Sequence, residues 1–304
     1  MAIQSGNMGN LYDARINKMY YLYLNSFPEE KNKWCDVLGS GKQYEKRGFY
    51  GELPMPNVVG EFENAPEVAF QQGPVRTWTH EKWASTLIAS RESMDDALFP
   101  VIERLAASLG KASAHRIETE GAEDLNNSFT VSTVGKSDTA DETLCATSHA
   151  TLTGAGGSAQ ANRPSTDVTL GADSLWAALN NFSGLKDHQG NPVMVIPKLV
   201  VINAANERTI IEILKSVEVP YKSTNEINAV RTRGLDYFIG HYISSTTPWW
   251  VTAQEKPILF FMRQEPDVVA ENNGRNGSKV WTISFRLSHA PIDWYQIYGS
   301  DGVP

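Results

Sequence analysis

The chain has almost no cysteine. Cys35 and Cys145 are the two thiols in 304 residues, too few for a disulfide framework and consistent with a reduced state. Long apolar runs are missing as well: the longest is ILFFM, Ile258 to Met262, against the roughly 20 residues that a membrane-spanning helix requires. No membrane partner is expected. The N-terminal stretch MAIQSGNMGNLYDARINK has no basic start followed by an apolar core, so no secretory signal is expected. Positive charge is in deficit, with 27 Lys and Arg against 35 Asp and Glu for a formal net charge of −8. A dedicated nucleic-acid binder clusters basic residues to neutralise phosphates, so any contact with nucleic acid should be loose.

Signatures of chemistry are absent too. There is no G-x-S-x-G elbow and no H-E-x-x-H. Gly154, Gly156 and Ala159 formally fit a dinucleotide fingerprint, but CATSHATL precedes them and Pro164 follows, where a buried strand and a helix are required. GSGKQ, Gly39 to Gln43, lacks the leading Gly and the Ser or Thr of a P-loop and reads as a turn. Cys145 and His149 stand four apart with no second pair at ligand spacing. The residues therefore assign no catalytic, cofactor-binding or metal position. An enzyme whose site assembles from distant residues, with a pocket near Trp249 and Trp250, is one alternative reading.

What is present is an ordinary globular composition, 41% hydrophobic and 20% charged, in a chain long enough for about two domains. MYYLYLNSF, Met19 to Phe27, reads either as a docking arm or as a first core helix. Residues 48–91 are rich in Gly, Pro and β-formers, with Gln72-Gly73-Pro74 expected at the tip of a hairpin whose arms run from Glu67 and back to Ile88. Exposed arms of that length need a covering partner. Leu98, Ile102, Leu105, Leu109 and Ala112 predict one face of a long helix over about 97–119, with Asp95 and Asp96 near its positive end and Pro100 in its first turn. The acidic run ETEGAEDL, Glu118 to Leu125, is expected to be a solvated helix end.

Residues 130–167 are small and polar and read as a surface loop or lobe outside the core. Asp173 is the expected N-cap of a helix through Leu175, Trp176, Leu179 and Phe182 that closes at Gly184. A buried strand over 198–202 and a helix over about 205–215 follow. KPILFFMR, 256–263, reads as a strand buried on both faces, and Trp281, Ile283, Phe285 and Leu287 alternate with polar residues. Helices and strands mix without a βαβ rhythm, so the fold class is α+β.

Several stretches in collinear order resemble the major capsid proteins of tailed bacteriophages, the family with the Hong Kong 97 fold, and in pattern the Mu-like head subunits. They are HEKWASTLIASRESMDDALFPVIERLAASLGK, EGAEDLNNSFT, LCATSHATLTGAGGSAQAN, PKLVVINAANERTIIEILKS and DWYQIYGSDG. The resemblance implies an N-terminal arm and first helix over 1–47, an extended loop over 48–91, a peripheral domain with a spine helix and C-terminal sheet over 92–130 and 256–304, and an axial domain over 131–255. It implies a shell subunit that assembles with itself into hexamers and pentamers around the phage genome in the virion, built in the host cytoplasm. The expected partners are a separate scaffolding protein, a portal, a decoration protein and loosely held double-stranded DNA. Aromatic residues assigned to contacts between subunits are Tyr50, Phe70, Trp78, Trp83, Trp249 and Trp250. The stretch Trp294 to Gly302 is expected to close the chain on the peripheral sheet. A cellular encapsulin-type nanocompartment shell of the same fold is the nearest alternative.

Overall fold

The computed structural model describes residues 9–51, 53–68, 72–96, 99–130, 135–136, 141–150, 157–220, 226–291 and 293–302. Its elements are α1 (Gly9–Leu24), β1 (Cys35–Gly39), β2 (Tyr44–Tyr50), β3 (Gln72–Thr79), β4 (Glu81–Ala89), α2 (Arg91–Asp95), α3 (Phe99–Asn126), β5 (Gly135–Lys136), β6 (Asp141–Glu142), α4 (Ala172–Gly184), β7 (Pro197–Ile202), α5 (Glu207–Lys215), β8 (Asp236–Ile239), β9 (Trp249–Ala253), β10 (Ile258–Asn272), β11 (Lys279–Pro291) and β12 (Ile297–Ser300). Two four-stranded sheets carry the α+β fold, in orders β1-β10-β11-β4 and β12-β9-β7-β8.

The first sheet follows from the C-terminal pattern. β10 is an inner strand, parallel to β1 and antiparallel to β11, and Ile258 to Phe261 are buried on successive residues because both faces are covered: Ile258 and Phe260 pack in the core with Ile117 of α3, and Leu259 and Phe261 pack with Trp78. On β11, Trp281, Ile283, Phe285 and Leu287 are buried as the alternation predicts, and Ser284 and Arg286 on the other face are more exposed. Trp281 clusters with Ile102 and Ala106 of α3, while Phe285 and Leu287 cluster with Ile117. The sheet thus rests on the helix along most of its length.

Helix α3 has 28 residues, with Pro100 in its first turn. It runs past the expected end at Thr119, and its buried face differs from the expected one. Leu98 lies outside the described residues, while Leu105 is half exposed and Ala112 is exposed. The inner face is instead Ile102, Ala106, Gly110, Ala114, Ile117 and Gly121. Small residues occupy it because other backbone crosses closely there. A Cβ on Gly110 would stand 2.4 Å from the Tyr20 carbonyl oxygen, and one on Gly121 would stand 2.6 Å from Lys31 Cβ. The aromatic N-terminal stretch is accordingly a core helix: α1 buries Ile16 and Tyr20, and Asp13 receives hydrogen bonds from Lys279 Nζ (2.7 Å) and Trp281 Nε1 (2.9 Å).

The second sheet packs α4 and α5 on one face through Leu175, Leu179, Phe182, Ile210 and Ile213. The cap of α4 is Gly171 and not Asp173; the Gly171 N–H donates to Ser174 Oγ at 2.8 Å, and Asp173 sits in the first turn. The chain end also differs from expectation. β12 pairs antiparallel with β9, so the closing segment joins the second sheet and not the peripheral one. Strand β9 is buried on both faces, and its register explains the tandem tryptophans: neighbouring residues on a strand point to opposite sides. Trp249 enters the core under α4, whereas Trp250 enters the core shared with α3 and the first sheet.

The polar stretch expected outside the core returns to it. Residues 131–134, 137–140 and 151–156, including Gly154 and Gly156, lie outside the described residues. Leu144, Cys145, His149 and Asn162, however, are buried. Asn162 makes this affordable in a polar sequence. Its Oδ1 accepts from Ala146 N (2.9 Å) and lies 2.8 Å from His149 Nε2, and its Nδ2 faces the carbonyls of Leu144 (2.9 Å) and Ile297 (3.0 Å). Backbone groups that strands would otherwise satisfy are paired by one side chain.

Candidate subunit interface

The antiparallel ribbon β2-β3 stands apart from both sheets. Tyr50 pairs with Gln72, so the turn lies within 51–71 and not at Gln72-Gly73-Pro74, and the arms are 44–50 and 72–79. The expected return arm beyond Thr79 is β4, which is hydrogen-bonded to β11 as an edge of the first sheet. The sequence signal that misleads here is Gly-Pro, which marks turns in general but stands in this chain at the start of the returning strand.

The root of the ribbon is fixed. Trp78 is buried against Phe261, with ring centroids 5.8 Å apart. His80 Nδ1 lies 2.9 Å from Ser288 Oγ, and its Nε2 lies 3.2 Å from Ser40 Oγ. Burial, joined by the Arg263 and Arg286 charges, holds this imidazole below its ordinary pKa although Glu45 opposes the shift. Trp83 on β4 is partly covered by the Arg116 guanidinium, 3.6 Å from the ring centroid.

The outer segment is different. Leu53, Met55, Val58, Phe62 and Val68 are exposed, Val58 and Phe62 almost completely at 103% and 98%. Phe62 also has φ at 71°, a left-handed conformation costly for a bulky residue. Scattered exposed apolar residues are normal, but a run of them on one extended segment makes a candidate contact surface. Sequence reasoning assigned the loop to an interface and chose its aromatic ends. The middle, LPMPNVVGEF, was overlooked; apolar residues between prolines with no period of 2 or 3.6 were the available signal.

The assigned contact residues divide accordingly. Trp249 and Trp250 are 0% and 1% exposed, inside one subunit, where no neighbour can touch them. Each indole N–H is satisfied internally, by Val168 O (3.0 Å) and Ser128 Oγ (2.9 Å). Trp78 is likewise spent on the ribbon root, and of the four tryptophans assigned to contacts only Trp83 keeps partial exposure. Phe70 and the Tyr50 side chain lie outside the described residues.

Beside the root, a cleft of about 700 Å3 lies between Trp78, Trp83, the end of α3 and Leu287 to Pro291. Glu120 and Asp124 line it, and the reading of ETEGAEDL as a solvated run is corrected, for Glu118, Glu120 and Asp124 are buried. Glu118 is paired with Lys31, whose Nζ and backbone N both lie 2.9 Å from its carboxylate oxygens. Glu120 is ion-paired with Arg116. His289 Nδ1 lies 3.0 Å from Asp124 Oδ2, and its Nε2 lies 3.3 Å from Glu120 Oε2. Burial alone would depress His289, but Asp124 and Glu120 more than reverse this and push it up to about 10. Burial, then Glu120, raises the Glu123 carboxyl.

The family model described as phage capsid protein matches residues 75–299. No curated protein gives a significant match. Among solved structures, the capsid of an empty GTA particle is 13% identical over 89% of this chain and 88% of that one, with a TM-score of 0.53. Mycobacterium phage Patience is 9% identical over 98% and 88%, at 0.57. The capsid of the Cyanophage P-SCSP1u is 11% identical over 87% and 85%, at 0.55. At such identities the likeness is one of fold.

Proposed function

The chain belongs to the phage capsid protein family, and on that premise we propose how its copies join. It is a major capsid protein of the Hong Kong 97 fold, a structural protein that associates with itself to form the shell of the virion. In the proposed assembly the ribbon of one subunit lies across the next, burying Leu53, Met55, Val58 and Phe62. The observation that carries this is the exposed apolar run on a ribbon whose root is rigid. A contact between different patches on successive copies is heterologous, and such contacts close into rings, here hexamers and pentamers, or propagate. The segment about 131–255, with the β12-β9-β7-β8 sheet, is the axial part that gathers at the ring centre. The spine helix α3 and the first sheet form the peripheral part. Trp83 remains a contact residue in this reading.

The remaining partners rest on the family resemblance: a separate scaffolding protein, a portal, a decoration protein, and double-stranded DNA held loosely by an acidic wall, with assembly in the host cytoplasm. Efficient formation of uniform procapsids by the purified chain alone counts against the separate scaffold. The test of the ribbon is electron microscopy of particles from cells making the wild type or the pair Met55→Ser and Phe62→Ser. Both side chains are solvent-exposed in the lone subunit, so circular dichroism and melting should not change, while shells should be lost. Shells at wild-type yield from the double variant refute the ribbon contact, and a wild type that stays monomeric under every condition refutes the shell reading itself.

A further inference from the structure

The floor of the cleft has a second meaning, independent of the shell. Glu120 and Glu123 are three apart on α3, so they leave one face of the helix together. His289 reaches them from β11. Its Nδ1 is engaged by Asp124, which fixes the ring and turns Nε2 toward Glu120 Oε2 (3.3 Å) and Glu123 Oε2 (3.8 Å). One ligand atom from each of Glu120, Glu123 and His289 lies within 4.8 Å of the others. A carboxylate that holds one imidazole nitrogen and aims the other at further ligand atoms is the usual support of a metal-binding histidine.

Two further observations concern charge and access. Glu120, Glu123 and Asp124 bring three negative charges, and Arg116 cancels one through Glu120 Oε1. Lys31 is committed to Glu118. Three carboxylates thus share one guanidinium and one imidazole at the foot of an open cleft, an acidic setting that suits a divalent cation. Arg116 occupies Oε1 and leaves Oε2 on the side of the cleft, and the 700 Å3 opening gives an ion its path and its remaining water ligands.

We propose that Glu120 Oε2, Glu123 Oε2 and His289 Nε2 hold a divalent transition-metal ion, with Asp124 as the positioning residue. An imidazole with carboxylates favours Zn2+ or Co2+ over Mg2+ or Ca2+. The ion takes the place of the His289 Nε2 proton, which passes to solvent. It ties α3 to β11 at the foot of the ribbon, in the cleft that Trp78 and Trp83 also line.

The test is a Co2+ titration of the full chain after chelator treatment, read by visible absorption, with Zn2+ and Mg2+ as competitors. Cys35 and Cys145 do not compete, because both thiols are buried and burial pushes them up. Equimolar uptake that Zn2+ displaces and Mg2+ does not is expected. Glu123 is half exposed, so Glu123→Gln should fold and should weaken binding by at least about tenfold, and Asp124→Asn should weaken it by about 10- to 100-fold. Melting curves without metal verify that the variants are folded. Absence of equimolar uptake by the wild type, or uptake that Glu123→Gln leaves unchanged, overturns the assignment.

Discussion

Gly110 sits in the middle of α3, where helix propensity alone says that alanine should stabilise by about 1 kcal/mol. The packing says the reverse. A Cβ there would meet the Tyr20 carbonyl oxygen at 2.4 Å and Leu24 N at 3.3 Å, and both are backbone atoms of α1 or its end that cannot rotate away. Relief requires α1 to move outward by about 1 Å, loosening Ile16 and Tyr20 from the core. Overpacking costs about 1–3 kcal/mol, and a clash with backbone belongs at the upper end. Subtracting the propensity gain leaves Gly110→Ala destabilised by about 2 kcal/mol. Gly184, at the end of α4, is the control, since a Cβ there meets nothing within 4 Å. Urea unfolding of the unassembled subunit, followed by tryptophan fluorescence, should show a lower midpoint for Gly110→Ala and none for Gly184→Ala. An unchanged or raised midpoint for Gly110→Ala would refute the close crossing of α1 and α3.

Lys31→Met should cost about 3–5 kcal/mol, because it leaves Glu118 charged and buried without its partner, whereas adding Glu118→Leu should recover most of the loss; a double variant whose loss in urea unfolding is the sum of the two single losses would show that the pair is not coupled. Phe285→Ala, which empties a site between β11 and α3, should cost about 3–5 kcal/mol, and a change under about 1 kcal/mol would mean that the sheet does not rest on the helix. Asp167 is hydrogen-bonded to Arg163, which holds its carboxyl below the usual range. A depressed carboxyl contributes stability above its unfolded pKa and loses it as pH falls through the folded value, so Asp167→Asn should flatten the acid limb of a stability profile below about pH 4. A wild-type profile identical to the variant's there would exclude this contribution.

What could be read from the sequence was whatever a single strand or helix encodes by itself. The alternation on 281–287 and the run at 258–261 report how many faces of a strand are covered, and both were legible for that reason. The register of α3 was not, because its inner face is marked by glycine and alanine. An apolar-periodicity argument scores those positions as weak although close backbone crossing requires them. Acidic residues 118–124 misled in the same way: charge predicts solvent unless the partner is known, and Lys31 and His289 lie 87 and 165 or more residues away in sequence. Tandem Trp249-Trp250 looked like a contact patch, since nothing local says that β9 divides two cores.

This difference in legibility bears on where an assembly protein keeps its contacts. Large aromatics drew attention first, yet most of them are used up inside the subunit: Trp78, Trp249, Trp250 and Trp281 are all buried. What stays outside is medium-sized and irregular, on a segment with three prolines and no regular hydrogen bonding between 53 and 68. Proline removes donors and fixes φ, so such a segment loses less entropy on docking than a glycine-rich one and cannot pair edge to edge with another strand. Leu53, Met55, Val58 and Phe62 can then bury apolar area against a neighbour at about 25 cal/mol per Å2 without exposing a sticky sheet edge beforehand. In the proposed contact, a fixed root at Trp78 and an apolar, proline-stiffened tip would be complementary requirements of one device. Replacing Pro54 and Pro56 by serine separates them: the lone subunit should melt as before, while assembly should slow as the tip's freedom rises, and an unchanged assembly rate by light scattering would mean that the tip's stiffness plays no part.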